Sequence, residues 1–286
     1  MKIIRQYLMV ALACATAVFF TPDAVLSAAP KGTATLEADS MRYDPSDGAI
    51  TASGNVRFKG PEGEVFGDWG SGATGGGDFE MRGSVRGTFA DSDGGSVDIA
   101  CDSIRLQGGM DEKKDRTVTA VGGVTLSRAG ERLVAGTVVW DLGTENYSAS
   151  GGVIGEFGAY LIDADKISRD QERFAAENVR EYTDLQRRIT LSAAKVSGIV
   201  NGGSIVELVA GGDVTITMPD SKGAMTRVRG DKGVFSVARG TLVVSGNTVA
   251  SQTGRNLTSD SIVYDLDTGR VEAVGKPTLV FEVLRD

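Results

Sequence analysis

Two aspartates separated by one residue, Asp163 and Asp165, are the nearest approach in this sequence to a pair of catalytic carboxylates. On a strand both side chains would lie on one face, as glycoside hydrolysis requires of its two carboxyl groups. Yet Asp165 occupies a position that recurs at Asp39, Asp68 and three further aspartates, and a residue that recurs so regularly is more often structural than catalytic. A polysaccharide-acting enzyme is therefore the least favoured of the functions that we consider for this chain.

Other reactive groups are scarce. The 286 residues include no histidine, which removes the commonest general base and metal ligand. Aspartates alternate in turns such as 265–269, but no twelve-residue loop with a closing glutamate follows, and ordinary turn chemistry accounts for them. The glycine-rich stretch 70–77 lacks the following helix of a phosphate-binding loop. We expect a non-enzymatic protein with no catalytic residue, no metal site and no cofactor.

The cysteines predict a core without disulfides. Cys14 lies in the leading segment, and Cys101 is the second of the two cysteines. Once the leading segment is removed, Cys101 has no partner within the chain. A small buried residue on a strand is favoured over a reactive thiol, and the role of Cys101 stays open.

The first residues resemble an export signal. Lys2 and Arg5 precede the apolar residues 7–20, and small residues follow. This layout is typical of a secretory signal covering residues 1–27, and its apolar stretch is short for a membrane span. Left uncleaved, the stretch would instead be an inner-membrane anchor. In both cases we expect residues 28–286 to reside in the periplasm.

Charge and composition narrow the class further. Thirty Lys and Arg stand against 38 Asp and Glu, a net charge of −8, so we expect no nucleic-acid partner. The chain has 39 glycines and 6 prolines and lacks long runs of helix-forming residues, which is typical of an all-β protein.

One unit is repeated along the chain. Residues 38–58 align with residues 259–279, and in both an aspartate precedes a glycine by fifteen positions: Asp39 and Gly54, then Asp260 and Gly275. The same frame begins at positions 39, 68, 102, 136, 165, 194, 231 and 260. Eight such units of two strands each predict about sixteen strands.

Three units are less regular. Asp102 precedes its glycine by twenty positions, Ala194 is matched with Gly211, and Asp165 is matched with Asn178. Residues 170–188 have helical propensity, yet they align with the unit that begins at Asp39. We predict a strand there, because the repeat outweighs local propensity.

Apolar and polar residues alternate within each unit. Ile50, Ala52, Val56 and Phe58 share one parity, and polar residues fill the other. This alternation predicts antiparallel sheet with one wet face, and the recurrent glycine predicts a bend that curves the sheet. The apolar face is either a filled core or an open trough that holds acyl chains. Composition alone favours the filled core.

The repeated unit, A-D-S-M-R-Y-D followed by I-T-A-S-G-N-V, resembles the OstA-like repeat of the LptA–LptC family of periplasmic lipopolysaccharide-transport proteins. The resemblance covers residues 34–283 and is weakest over 165–214. It implies an all-β, twisted, open β-jellyroll of about sixteen antiparallel strands built from eight hairpin-like repeats. Because the chain exceeds a single module in length, residues 28–286 form one jellyroll or two fused modules of about 34–160 and 161–284.

The resemblance also implies a ligand and partners. Lipopolysaccharide or a similar glycolipid would lie in an apolar groove, and other Lpt-type jellyroll proteins, or further copies of this chain head to tail, would add to the edges 33–36 and 278–284 by strand addition. The groove would be lined by Met41, Tyr43, Ile50, Ala52, Val56, Phe58, Val118, Ala120, Val124, Leu126, Trp140, Ile262, Tyr264, Val271, Ala273, Leu279 and Phe281.

Two functional hypotheses therefore lead. In the first, the chain carries lipopolysaccharide or a related amphiphile toward the outer membrane. In the second, it is a structural β-solenoid or envelope-assembly module with a filled core and no lipid ligand. The sequence leaves open which lipid is bound, whether the signal is cleaved, whether the chain is a bridge or an anchored protein, and its oligomeric state.

Overall fold

The computed structural model describes residues 34–60, 63–74, 78–90, 95–107, 117–141, 144, 146–158, 160–170, 172–185, 188–201, 204–220, 223–236, 239–266 and 268–282. The predicted signal, residues 1–27, lies outside them. So do Thr33 and residues 283–284 of the predicted edges. Within the described ranges the chain divides into two compact units. The N-terminal unit comprises residues 34–155 and 168–170, and the C-terminal unit comprises residues 156–167 and 172–282.

The described residues form eighteen strands. In chain order they are β1 (Thr35–Glu37), β2 (Ser40–Tyr43), β3 (Ala49–Gly60), β4 (Gly63–Ala73), β5 (Phe79–Ala90), β6 (Ser96–Gln107), β7 (Thr117–Arg128), β8 (Glu131–Asp141), β9 (Tyr147–Phe157), β10 (Tyr160–Asp170), β11 (Arg173–Asp184), β12 (Ile189–Asn201), β13 (Ser204–Pro219), β14 (Met225–Ser236), β15 (Thr241–Gln252), β16 (Arg255–Asp265), β17 (Val271–Val274) and β18 (Thr278–Phe281).

Each unit pairs its strands in chain order, and the pairs are antiparallel. In the N-terminal unit β3 pairs with β4 and the series continues to β8. In the C-terminal unit β11 pairs with β12 and the series continues to β16. The prediction of an all-β, open β-jellyroll of antiparallel strands is confirmed.

The two outermost strands are each interrupted once. Both β1 and β2 pair with β3, and both β17 and β18 pair with β16. Each pair of short strands thus fills one strand position, so the eighteen strands occupy sixteen positions. That number agrees with the sixteen strands predicted from the repeat.

Turns between strands use the residues that the sequence led us to expect. In the turn between β2 and β3, Oδ1 of Asp44 accepts hydrogen bonds from the backbone nitrogen of Ser46 at 2.9 Å and from its hydroxyl at 2.6 Å. The hydroxyl of Ser46, followed by its amide, lowers the pKa of Asp44. In the turn after β16, Asp265 accepts from the amide of Thr268 at 2.9 Å. These carboxylates hold turn backbone.

The repeated aspartate and glycine meet across neighbouring strands. Gly54 of β3 has a φ of +74°, and the position of a Cβ on it would lie 2.5 Å from Oδ2 of Asp39. The next residue, Asn55, also has a positive φ, and its Nδ2 donates to Asp39 at 2.8 Å. Glycine is required there, since a side chain would be both strained and obstructed.

This arrangement, which we call the Asp–Gly bulge, recurs in both units. Its members are Asp39 with Gly54, Asp68 with Gly83, Asp102 with Gly122, Asp231 with Gly246, and Asp260 with Gly275. At the first four the register shifts, because the glycine strand carries one residue more than its neighbour, and Gly275 lies at the interruption between β17 and β18. Extra residues of this kind bend a strand and increase its twist.

The less regular units depart from this geometry in identifiable ways. The strand predicted within 170–188 is present as β11, which confirms that prediction over helix. The match of Ala194 with Gly211 is wrong by one position. Ala194 faces Gly212, on which a Cβ would lie 2.8 Å from that of Ala194, whereas a Cβ on Gly211 would meet nothing within 4 Å. Gly212 has the positive φ of the two.

Candidate functional site

The interior face of the N-terminal unit is built from rows of side chains that run across neighbouring strands. One row crosses β4 to β8 as Val65, Gly87, Ile99, Leu126 and Leu133. A second crosses β3 to β8 as Ala52, Gly70, Met81, Ile104, Ala120 and Val138. The apolar side chains in both rows are buried.

The C-terminal unit has an interior face of the same construction. One row crosses β12 to β17 as Val196, Ala210, Gly233, Val244, Ile262 and Ala273. Val244 and Ile262 have no exposed surface. A neighbouring row ends with Leu242, Tyr264 and Val271 on β15 to β17.

The predicted groove residues fall into three classes of exposure. Seven are buried: Ala52, Val56, Ala120, Val124, Leu126, Ile262 and Tyr264. Five are half-buried: Ile50, Phe58, Val118, Trp140 and Ala273. Five are exposed: Met41, Tyr43, Val271, Leu279 and Phe281. The first ten residues of the set up to Leu126, with Trp140, belong to the N-terminal unit, and the last six to the C-terminal unit.

The exposed members all lie on the end strands β2, β17 and β18. There the interior row continues, but no further strand of the described chain covers it. Leu279 on β18 is opposite Leu257 of β16 and is 56% exposed, and Phe281 is 62% exposed. The apolar face of the C-terminal unit therefore reaches the edge of its sheet uncovered.

Sequence reasoning omitted several interior residues, including Met81, Val153, Val228 and Val244, each fully buried. The same alternation that selected the other residues marks these four, since each belongs to the apolar parity of its strand. They lie outside the units that begin at positions 39, 102 and 260, which contain most of the expected groove residues.

Titratable side chains on the interior faces of the two units lie in an apolar environment, and their pKa values are raised. Burial raises the pKa of Tyr264 to about 12, and burial also raises the pKa of Tyr147. For Cys101, burial and then the charge of Asp102 raise the thiol pKa to about 11. The thiol is buried and protonated at neutral pH, which fits the expected structural residue and disfavours a nucleophile.

The aspartate pair considered for catalysis is held by an arginine. Asp163 and Asp165 both accept hydrogen bonds from Arg180, whose Nε lies 2.9 Å from Oδ1 of Asp163. Asn178 also donates to Asp165 at 2.8 Å. The hydrogen bond from Asn178, followed by that from Arg180, lowers the pKa of Asp165. Two carboxylates engaged by one guanidinium hold neighbouring strands together, and the lowered pKa of Asp165 is the opposite of what a general acid requires.

The outer face of the N-terminal unit carries arginines that are paired with carboxylates. Arg57 donates to Glu64 of the adjacent strand, and Arg82 Nε lies 2.6 Å from Glu80. Arg105 lies 2.9 Å from Asp78. These pairs are partly exposed, so each contributes little to stability.

The described part of the chain contains neither a candidate metal site nor a membrane-spanning helix. No group of three or more His, Cys, Asp or Glu in that part of the chain is arranged to hold a metal ion. Within the same part, no helix has the length and apolar character needed to cross a membrane.

Residues 95–270 match the family described as LptA/(LptD N-terminal domain) LPS transport protein. The match spans more than half of the chain and includes strands of both units. The chain belongs to this family. The resemblance drawn from the repeated unit is thereby confirmed.

The structure of this LptA/LptD N-terminal family member is similar to that of LptH, the LptA-homologous periplasmic component of the lipopolysaccharide transport device from Pseudomonas aeruginosa. The two share 13% sequence identity with a TM-score of 0.31, over 54% of this chain and 95% of LptH. No curated protein matches the sequence.

The family match begins at residue 95, after the first two repeat units. Those units nevertheless contain the same Asp–Gly bulge, at Gly54 and at Gly83. The repeat of this LptA-type chain thus extends beyond the residues that the family description matches.

Proposed function

We propose that this chain is a non-enzymatic periplasmic carrier that passes lipopolysaccharide, or a related amphiphile, toward the outer membrane. Membership of a family described as LPS transport proteins supports the proposal. The observation that carries it furthest is the apolar interior row that continues, uncovered, onto the end strand β18 at Leu279 and Phe281. An acyl chain can reach an interior that is open at its edge.

The energy for binding comes from burial of the acyl chains against the predicted groove residues. Each buried CH₂ group contributes about 0.8 kcal/mol, so a twelve-carbon chain contributes roughly 10 kcal/mol before the costs of ordering it. Such a term does not depend on the net charge of the protein, which is −8. An acidic carrier of an anionic glycolipid is therefore physically consistent.

The same end strands are the proposed docking edges. A strand at the edge of a sheet has backbone donors and acceptors that another strand can pair with. Other Lpt-type jellyroll proteins, or a second copy of this chain head to tail, would add at residues 33–36 and 278–284. Exposed apolar side chains on β18, such as Val280, favour a covered state for this edge.

We also propose export of the chain through residues 1–27, with residues 34–160 and 161–284 as two fused modules. Cleavage of the signal would release a bridge protein, and retention of residues 7–20 would give an anchored one. The mass of the amino-terminal peptide from the envelope fraction decides between them: a start near residue 28 means a bridge, and an intact Met1 means an anchor.

A photocrosslinking experiment tests the lipid-carrying function. The photoreactive analogue benzoylphenylalanine replaces Tyr264 or Phe58 on the interior parity and, as the matched control, Phe66, which is 44% exposed on the outer face. In cells that make lipopolysaccharide we expect lipid adducts at positions 264 and 58 and none at 66. Absence of adducts at both interior positions would refute the carrier function.

One observation favours the second candidate function, a structural module with a dry core. Val56, Val124 and Ile262 have no exposed surface, as in a filled protein core. If this module is correct, native mass spectrometry of the envelope-purified chain will contain no lipid, and the chain will polymerise into regular fibres.

A further inference from the structure

Two arginines on one strand of the C-terminal unit differ from the arginines of the N-terminal unit, which are paired with carboxylates. Arg227 and Arg229 lie two residues apart on β14, and both are exposed on its outer face. Residues so spaced on a strand point to the same side, with Cα atoms about 7 Å apart. Two guanidinium groups therefore project from neighbouring positions into solvent.

The residues directly across the strands from both arginines are mostly hydroxyl-bearing, and none of them is a carboxylate. Arg227 is flanked across the strands by Thr217 and Ser251, and Arg229 by Thr215 and Val249. The two rows continue on β12 and β16 as Thr190, Ser192, Asn256 and Thr258.

The nearest acidic side chains along these strands are elsewhere engaged or lie at a bulge. Asp231 follows Arg229 by two residues, and its carboxylate accepts a hydrogen bond from Asn247 at 3.2 Å. Asp213 lies in the bulge of β13. Among the described residues, no ion pair joins a carboxylate to Arg227 or Arg229, which contrasts with Arg57, Arg82 and Arg105.

The arrangement costs free energy unless something outside the chain offsets it. Two adjacent guanidinium groups repel each other, and no carboxylate lies directly across the strands from either of them. In a chain with a net charge of −8, carboxylates are plentiful, yet none occupies these rows. An external anion with several oxygen acceptors would use the ten N–H donors of the pair and the hydroxyl groups beside them.

We propose that Arg227 and Arg229 bind a phosphate group on the saccharide headgroup of the carried glycolipid. The guanidinium fork matches the oxygens of a phosphate in geometry and charge, and the Thr and Ser hydroxyls match a sugar. This inference rests on the proposed carrier function.

The position of the pair relative to the open edge supports this occupant. The row of Arg227 runs through Ser251 and Asn256 to Val280 on the end strand. Three strand spacings, about 14 Å, separate β14 from that edge. Interior residues Leu279 and Phe281 are exposed on the same end strand, so a lipid whose acyl chains enter there has its headgroup near the polar rows.

Binding of the full-length protein to lipopolysaccharide in nonionic detergent micelles tests the site, with chemically dephosphorylated lipopolysaccharide as the second ligand. We expect Arg227→Gln with Arg229→Gln to weaken binding of the phosphorylated lipid about tenfold and to leave the dephosphorylated lipid unaffected. Arg227→Lys with Arg229→Lys should recover part of the loss, because it keeps the charge without the fork.

Arg105→Gln is the matched control, since it removes one exposed, carboxylate-paired arginine from the outer face of the N-terminal unit. We expect it to change binding of neither lipid. Equal binding of the phosphorylated lipid by the double Gln variant and the wild type, or an equal loss in Arg105→Gln, would overturn the proposal. Inorganic phosphate at millimolar concentration should compete weakly; competition at micromolar concentration would instead identify free phosphate as the ligand.

The photocrosslinks at positions 58 and 264 separate the two possible failures. If they form and the arginine variants have no effect, the phosphate site alone is refuted. If no crosslink forms, the carrier function fails and the phosphate site fails with it. Thermal unfolding of each variant within 2 °C of the wild type, about the effect expected of an exposed substitution, establishes that the fold is intact.

Discussion

The bulge between β6 and β7 and the corresponding bulge between β12 and β13 shift the register of their strands with different residues. In the first, Asp102 lies over Gly122. In the second, Ala194 takes the aspartate position, and yet Gly212 and Asp213 have the same pair of positive φ angles as Gly122 and Gly123. The surplus residue and its left-handed backbone therefore make the bend, and the carboxylate is an addition to it.

Strand β11 carries the comparison further. It has one residue fewer than β3 over the aligned stretch, and the residue that remains in the left-handed region is Asn178, with a φ of +50°. Its register shift against β12 lies later, between Val179 and Tyr182. Because β11 lacks the glycine, its register shift lies further along the strand. Ion pairs from Arg180 to Asp163 and Asp165 replace the close Asp–Gly contact.

The largest expected effect is on the free energy of unfolding, when each of the two adjacent glycines of one bulge is replaced by alanine. Gly122→Ala combines a φ of +84° with a Cβ that would collide with the carboxyl group of Asp102, whereas Gly123→Ala has a φ of +53° and open space. We expect Gly122→Ala to lower the free energy of unfolding by about 3 kcal/mol and Gly123→Ala by about 1 kcal/mol in urea titrations.

A second change locates the cause of the larger loss. Asp102→Gly reproduces the arrangement of Gly136 facing Gly151 and removes the colliding group. Combined with Gly122→Ala, it should restore about half of the lost stability. If Gly122→Ala and Gly123→Ala are equally destabilising, the close carboxylate plays no part and the comparison above is wrong.

A smaller effect is expected at the asparagine of the first bulge. Asn55→Ala removes the 2.8 Å hydrogen bond to Asp39 and leaves a positive φ of 46° on a residue that disfavours it. Asn55→Gly removes the bond but relieves the backbone. We expect losses of about 1.5 and about 0.5 kcal/mol in the free energy of unfolding. Equal losses would mean that the hydrogen bond to Asp39, which both variants lack, accounts for the whole effect and that the backbone conformation adds nothing.

The bulge in which Ala194 faces Gly212 can be converted to an Asp–Gly bulge by two substitutions. Ala194→Asp with Asp213→Asn recreates the aspartate, glycine and asparagine of Asp39, Gly54 and Asn55. We expect a gain of about 0.5 kcal/mol in thermal unfolding, because one side-chain hydrogen bond is added. Ala194→Asp alone should give no gain, since Asp213 would repel the new carboxylate. A gain from the single change would contradict the assigned geometry.

The smallest effect concerns pH. Because its pKa is lowered in the folded chain, Asp165 contributes stability above its unfolded pKa of about 3.9, and that contribution is lost as the pH falls through the folded pKa. We therefore expect the melting temperature of the wild type to fall more steeply below pH 4 than that of Asp165→Asn. Parallel pH profiles of the two would show that the hydrogen bonds from Asn178 and Arg180 add nothing.

Much of the fold could be predicted because two simple regularities run through the sequence. Alternation along strands such as β3 fixes which residues face inward, and the fixed distance from aspartate to glycine fixes where each strand bends. The choice between Gly211 and Gly212 could not be predicted, since adjacent glycines are equivalent until backbone dihedral angles are known.

The neighbours of Arg227 and Arg229 on the outer face could not be predicted from the sequence either. Arg227 and Arg229 are recognisable as a pair from their spacing, but the absence of a carboxylate directly across from them depends on which residues of β13 and β15 lie opposite. That register follows from the bulges of three successive strands, and an error of one residue in any of them changes every neighbour.

The interruption of the end strand has a consequence for how another strand can pair with this edge. Between β17 and β18 lie Gly275, Lys276 and Pro277, so the free edge offers two lengths of four residues in place of one long template. Proline supplies no amide hydrogen, and a lysine charge at the gap opposes stacking of like edges. The exposed edge of the C-terminal unit therefore offers a pairing strand at most four consecutive residues at a time, although it carries Leu279, Val280 and Phe281 in succession.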